Sequence, residues 1–257
     1  MMTDKKQWSI KSIIGKLRKP GMVSTLVRGS GVVFISKGLG VGFGFFLQLL
    51  LARWMGASQY GFYVYILSWA TLGAMIAGLG FGSGLLRFVP EYKTIQDESR
   101  LKGVLQGSLG ISILASVAIA LIATGVVLWH STQNPIENLP AIILGIWVIP
   151  FLTINTLSMS MLRGIRKMTA AYIPSQVLRP AIILLGAFVV FSNQQNQSLD
   201  SAFVLAMTIV ALVVVELFAG WQIHKHLPIG TSSIKATYEL RSWLRVSFPL
   251  LMIGGFV

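Results

Sequence analysis

Seven long apolar stretches alternate with short polar gaps along the chain, at residues 29–52, 62–86, 104–128, 139–162, 173–191, 201–223 and 243–257. A run of about 19 or more apolar residues is long enough to cross a hydrocarbon core of about 30 Å as a helix. The pattern therefore predicts an all-α polytopic membrane protein with six complete transmembrane helices and part of a seventh. The last run gives only about 22 Å of helix at 1.5 Å per residue. It stops at Phe256-Val257 without a polar cap, which reads as a truncated helix. The gaps near 53–61, 129–139 and 192–200 are too short for a folded domain, and those at 88–103, 163–172 and 224–242 suit linkers or short surface helices.

Charge orients this pattern. Of the 21 Lys and Arg residues, all but Lys37 and Arg53 fall in or beside alternate gaps: before the first run and after the second, fourth and sixth. Short cytoplasmic loops collect Lys and Arg, so the N-terminus and every second loop are expected to face the cytoplasm. The net charge of +13 would suggest a nucleic-acid partner in a soluble chain. Here the loop asymmetry accounts for it, and no nucleic acid is expected. Hydrophobic residues make up 54% and charged residues 11% of the chain, against about 25% charged in a soluble protein, so lipid is the solvent. The absence of cysteine excludes disulfides, thiolate metal sites and cysteine nucleophiles. The first run is too long for a signal-peptide core and no A-x-A-like site follows it, so it reads as a retained helix. Residues 1–21 form a separate amphipathic, basic segment. Ile10, Ile13, Ile14 and Leu17 recur at helical spacing among Lys11, Lys16 and Lys19, which suits the cytoplasmic membrane surface.

Enzyme signatures are missing: there is no Walker A loop, no H-E-x-x-H and no G-x-S-x-G. His224 and His226 make an H-x-H pair without a third ligand nearby in sequence, so no metal or cofactor is expected. Glycines alternate at 38, 40, 42 and 44 and again at 78, 80, 82 and 84. In a membrane such small residues let helices approach closely, which predicts tight packing of the first two helices or a helix able to bend. Pro150, Pro174 and Pro180 permit kinks in the fourth and fifth helices.

Charge within the apolar runs is the sharpest chemical signal. Lys37 lies about 12 Å into the first helix, and Glu216 lies at similar depth in the sixth. A charge at mid-membrane costs at least about 2.5–3.5 kcal/mol to insert, so it faces a partner or a wet cavity. Arg28, Arg87 and Arg179 fall near the same level, and Arg53 ends the first helix on the other side. Lys37, Arg87, Arg28, Arg53 and Arg179 are the candidate substrate-binding residues, suited to phosphate by forked or point-charge donors. Glu216 is a coupling residue or the charge partner of Lys37.

At the first two helices the sequence becomes recognisable. Leu50-Leu51-Ala52-Arg53-Trp54-Met55-Gly56-Ala57-Ser58-Gln59-Tyr60-Gly61 resembles the LLAR-x-x-G-x-x-x-YG segment of bacterial oligosaccharide flippases, in the multidrug/oligosaccharidyl-lipid/polysaccharide exporter superfamily. Gly78-Leu79-Gly80 with Arg87, the basic turn Met161 to Lys167, and Leu244 to Leu250 are similar to later segments of the same family. The resemblance implies the N-terminal lobe of a two-lobe, MATE-like transporter. Residues 22–228 would form the six-helix lobe, and 229–257 a linker and the truncated first helix of a second lobe. It implies alternating access in the bacterial cytoplasmic (inner) membrane, flipping a polyprenyl-diphosphate-linked oligosaccharide for surface polysaccharide biosynthesis. Membrane lipid and other polysaccharide-assembly membrane proteins are the remaining expected partners. The competing readings are a cation-coupled multidrug antiporter, which needs acidic groups around its cavity, and a membrane-embedded glycosyl transferase or polymerase, which needs catalytic carboxylates.

Overall fold

The computed structural model describes the backbone of residues 20–193, 199–226 and 235–254, and the side chains of residue 38 and of 40–192, 199–226 and 235–252. The helices, in order, are α1 (Pro20–Ala77), α2 (Phe81–Thr94), α3 (Glu98–Gln133), α4 (Leu139–Gly164), α5 (Met168–Ile173), α6 (Arg179–Asn193), α7 (Ser201–His226) and α8 (Leu240–Gly254). A π turn, Pro174–Leu178, joins α5 to α6. Five helical segments among the described residues are long and apolar enough to cross a membrane: Gly40–Ala77, Glu98–Gln133, Leu139–Gly164, Met168–Ser192 and Ser201–His226. The basic amphipathic segment expected over residues 1–21 lies outside the described residues, apart from its last two.

α1 contains a sharp break. Gly56 sits at φ 77°, ψ 165°, a conformation essentially confined to glycine. In a straight helix Gly40 and Thr71 would be about 46 Å apart. Instead Gly40, Gly44, Leu47 and Leu51 line the same cavity as Tyr60, Val64, Leu67 and Thr71. The two limbs therefore run antiparallel, folded about Gly56. The expected loop over 53–61 is replaced by this single-residue reversal. The second apolar run, expected as one helix over 62–86, is also divided. Its helix ends at Ala77, and Leu79 (φ 49°) and Gly80 (φ 76°) turn the chain before α2 begins. A side chain at Gly80 would overlap the Ser247 carbonyl of α8, so both the backbone angle and the close approach require glycine.

α4 is the hub, packing against α7, α3, α1 and α2. Two apolar clusters fill the bundle. One, with Phe81, Leu85, Val104, Leu157, Met161 and Trp243, joins α2, α3, α4 and α8. The other, with Leu51, Met55, Ile66, Val148, Leu205 and Leu212, joins α1, α4 and α7. Large apolar side chains also cover the outside: Leu114, Ile122, Trp129 and Leu217 are each about 70% exposed. Water would oppose that arrangement and lipid does not.

The basic end of the bundle is tied together by polar contacts. Asp97 caps α3, accepting from the Arg100 N–H at 3.0 Å and the Ser99 hydroxyl at 2.7 Å. These bonds hold its carboxyl below the usual carboxylate range. Arg100 also pairs with Glu239 at 3.1 Å, the Thr237 N–H donates to the Ser99 carbonyl at 3.1 Å, and the buried Trp243 donates to the Tyr92 hydroxyl at 3.0 Å. α8 is thus fastened onto α2 and α3.

Candidate functional site

A cavity of about 380 Å³ opens between the two limbs of α1 and the α5–α6 rod. Its geometry originates in the proline pair. Pro174 and Pro180 supply no backbone N–H, so the α-ladder cannot continue through them. The chain forms the π turn instead, with the Arg179 N–H donating to the Pro174 carbonyl five residues back. This turn brings Ser175, Gln176 and Arg179 to the cavity wall. Gln48, Tyr60, Tyr63, Ser68 and Thr71 face them from α1. Gly40 allows Gln176 to lie against the first limb, since an added Cβ would be 2.5 Å from the Gln176 Oε1. Tyr63 is fixed from behind: its hydroxyl is 3.4 Å from Thr208 Oγ1. The Thr208 hydrogen is given to the Val204 carbonyl, which leaves Tyr63 as donor.

Arg179 has no hydrogen-bond or ion-pair partner among the described residues. Among the described residues no carboxylate lines its cavity. An uncompensated guanidinium in a low-dielectric setting is costly, and a chamber of neutral hydrogen-bonding groups around it is fitted to an anion.

Glu216 is placed differently. On α7 it faces α4, where Asn155 Nδ2 donates to one carboxylate oxygen at 2.8 Å and the Ser158 hydroxyl to the other at 2.9 Å. Among the described residues it forms no ion pair, and it does not line the Arg179 cavity. Asn155 and Ser158, three residues apart on one face of α4, account for its place in an apolar bundle without a cation. The side chain of Lys37, its expected partner, lies outside the described residues, as does that of Arg28.

The remaining candidates are not brought together. Arg87 is exposed on α2 and lies 3.8 Å from Glu91 one turn on. Arg53 is exposed near the Gly56 reversal. The backbone of Lys37 lies one turn before Gly40, which lines the Arg179 cavity. His226 Nδ1 is 2.9 Å from the Gln222 carbonyl at the end of α7. The glycine rows do not pack the first two apolar runs together as expected. Added Cβ atoms at Gly38, Gly42 and Gly44 would meet nothing within 4 Å, Gly40 faces Gln176, and Gly80 and Gly84 face Ser247 of α8.

Sequence reasoning missed the neutral lining of the cavity and Arg163, which it read only as a marker of a basic loop. Arg163 lines a second cavity, of about 400 Å³, with Thr71, Gly80, Ser83 and Thr156. Ser160 and Thr156 at helical spacing before it were the available signal, because they make a polar stripe on an apolar helix.

The comparisons with known proteins agree with this architecture. A transporter of the MOP superfamily from Pyrococcus furiosus Vc1 (DSM3638), reported with a binding pocket of reverse polarity, is 15% identical with a TM-score of 0.61; the match covers 85% of this chain and 50% of that one. A MATE protein solved in complex with MaL6 is also 15% identical, with a TM-score of 0.63 and the same coverage. At that identity the shared property is the fold, and the chain spans about half the length of both. No curated protein matches the chain. The family profile described as "Polysaccharide biosynthesis protein" matches residues 26–255. With nearly its whole length matched, the chain belongs to the polysaccharide biosynthesis protein family, and it is a multi-pass membrane protein.

Proposed function

We propose that this chain is the N-terminal lobe of a transporter that flips a polyprenyl-diphosphate-linked oligosaccharide across the bacterial cytoplasmic membrane by alternating access. The observation that carries the reading is Arg179, without a hydrogen-bond or ion-pair partner and with neutral polar walls and no carboxylate around its cavity among the described residues. A diphosphate is costly to move through hydrocarbon unless cationic and hydrogen-bonding groups meet it. A guanidinium flanked by Gln48, Gln176, Ser175 and Tyr60 supplies both. The N-terminus faces the cytoplasm on the loop-charge asymmetry, and Lys37, one turn before the cavity-lining Gly40 on α1, is the second proposed cation. The proposed lobe covers residues 22–228, with α8 opening a second lobe that completes the cavity.

A cation-coupled drug antiporter needs an acidic group facing its substrate. Glu216 is the acid embedded in the described bundle, and it is turned to Asn155 and Ser158. The test is transport by the purified protein in proteoliposomes, offered a polyprenyl-diphosphate oligosaccharide and, separately, a cationic dye. Flipping of the lipid-linked sugar, weakened by Arg179→Gln and by Lys37→Gln, supports the proposal. Dye efflux under a proton or sodium gradient without lipid flipping would replace it with the antiporter reading.

A further inference from the structure

The Arg163 cavity is separate chemistry from the Arg179 cavity, although Thr71 lines both. Arg163 is held at the end of α4, where its Nη2 donates to the Ser160 hydroxyl at 2.8 Å, and Ser160 donates in turn to the Thr156 carbonyl at 2.8 Å. Its Nε is buried with no acceptor among the described residues. Arg163 forms no ion pair among the described residues. A guanidinium offers five N–H donors in a fixed fork, so one hydroxyl leaves most of that capacity unused. Across the cavity stands the start of α2. Gly80 caps this 14-residue helix without any side-chain hydrogen bond, and Gly80, Gly82 and Ser83 line the cavity. The first-turn amides of Phe81, Ser83 and Gly84 donate to the Gly78 and Gly80 carbonyls, which leaves the Gly82 N–H at the helix start. This end of α2 shares one space with an arginine whose donors are mostly unfilled. Leu86, Leu152, Leu157, Leu250 and Leu251 give the cavity an apolar wall, with Thr71, Thr153 and Thr156 beside it.

We infer that this cavity binds the phosphate or diphosphate head of an anionic lipid, with the head between Arg163 and the α2 start and the hydrocarbon chain along the leucine wall. A free inorganic anion would gain nothing from that wall, and a neutral amphiphile would leave Arg163 unpaired. The lipid can be the transported carrier or a resident phospholipid, since both present the same chemistry. If it is the carrier, which rests on the proposed function, the shared Thr71 wall makes the Arg163 cavity a neighbouring station to Arg179.

The experiment is photolabelling of the purified protein by two diazirine lipids, a polyprenyl diphosphate and a phosphatidylglycerol, followed by peptide mapping. Labelling of the segments 80–87 and 152–163 by either probe is expected. It should fall about tenfold in Arg163→Gln, in line with loss of a charge-assisted contact, and persist in Arg179→Gln. Ser83→Asp keeps Arg163 but sets a carboxylate at the exposed rim, and should abolish the same labelling even if Arg163→Gln folds poorly. Arg163-dependent labelling by the polyprenyl probe supports a carrier station. Arg163-dependent labelling by phosphatidylglycerol alone supports a resident-lipid site and leaves the flippase reading to its own transport test. Labelling of these segments that is unchanged in both variants, or absent with both probes, would overturn the inference.

Discussion

Arg179 and Glu216 are two charges embedded in one bundle, and their surroundings are opposite. Glu216 has a neutral donor on each oxygen, both from α4, and its needs are met inside the protein. Arg179 has an open cavity and no partner among the described residues. Depth in the membrane, which ranked the two alike from sequence, does not separate structure from function. The separation comes from which hydrogen-bonding valences the fold itself fills.

The largest test of that contrast is Arg179→Gln. Loss of a buried charge that meets an anion costs about 2–5 kcal/mol in recognition, so flipping should fall on the order of 100-fold. The melting temperature in detergent should stay near that of the parent, because no internal contact is lost. A large drop in melting temperature would make Arg179 a structural residue and erase the contrast. The reverse is expected at Glu216. Glu216→Ala leaves Asn155 and Ser158 donors unpaired, a cost of about 2 kcal/mol, read as a lowered melting temperature with transport per folded molecule retained. Glu216→Gln keeps one acceptor, for Asn155, and its amide N–H can donate to the Ser158 oxygen once that hydroxyl rotates, so it should cost less than about 1 kcal/mol. If it instead abolishes transport at normal stability, the carboxylate's charge is needed in the cycle.

Smaller effects sharpen the cavity side. Gly40→Ala sets a methyl group against Gln176, 2.9 Å from its Cβ as well as close to its Oε1, so the first limb of α1 and the π turn must move apart slightly. Flipping should drop about threefold, on the scale of one distorted hydrogen bond, with a modest fall in melting temperature from the overpacking. The smallest effect is a surface control. The Asp97 carboxyl is held below its usual range by the Arg100 N–H and Ser99. Its folded value is depressed, so its stabilisation is present above the unfolded value of about 3.9 and is lost as pH falls through the folded one. The melting-temperature gap between the parent and Asp97→Ala should be constant from about pH 7 to 5 and close below about pH 4. A gap that widens on acidification would reverse the assignment.

Much of the fold was readable, because long apolar runs force helices and lipid leaves the backbone no alternative. The runs at 104–128, 139–162 and 201–223 lie inside α3, α4 and α7. The reversals were not readable. Gly56 stands in a polar gap that reads as a loop, and Leu79 takes a positive φ that its side chain gives no reason to expect. Arg179 was identified as a candidate but not its chamber: Pro174 and Pro180 signalled an interrupted helix, but not that the interruption would be a π turn facing α1. Glu216 was found by depth alone. Asn155 and Ser158, polar residues three apart in an apolar helix, were the unread sign of its partners.

The π turn also has a genetic consequence. Such a turn accommodates one residue more than an α-helix would over the same rise, and each residue of an α-helix advances about 100° around the axis. Deleting one residue between Pro174 and Leu178 would remove that extra residue, so α5 and α6 would keep about the same relative orientation. Deleting one residue just beyond Arg179, in the first turn of α6, would instead turn everything before it by about 100° relative to the rest of α6. The reading frame of this rod, and not only the identity of its residues, is therefore under uneven constraint: a three-nucleotide deletion should do less damage to the cavity inside the turn than just after it.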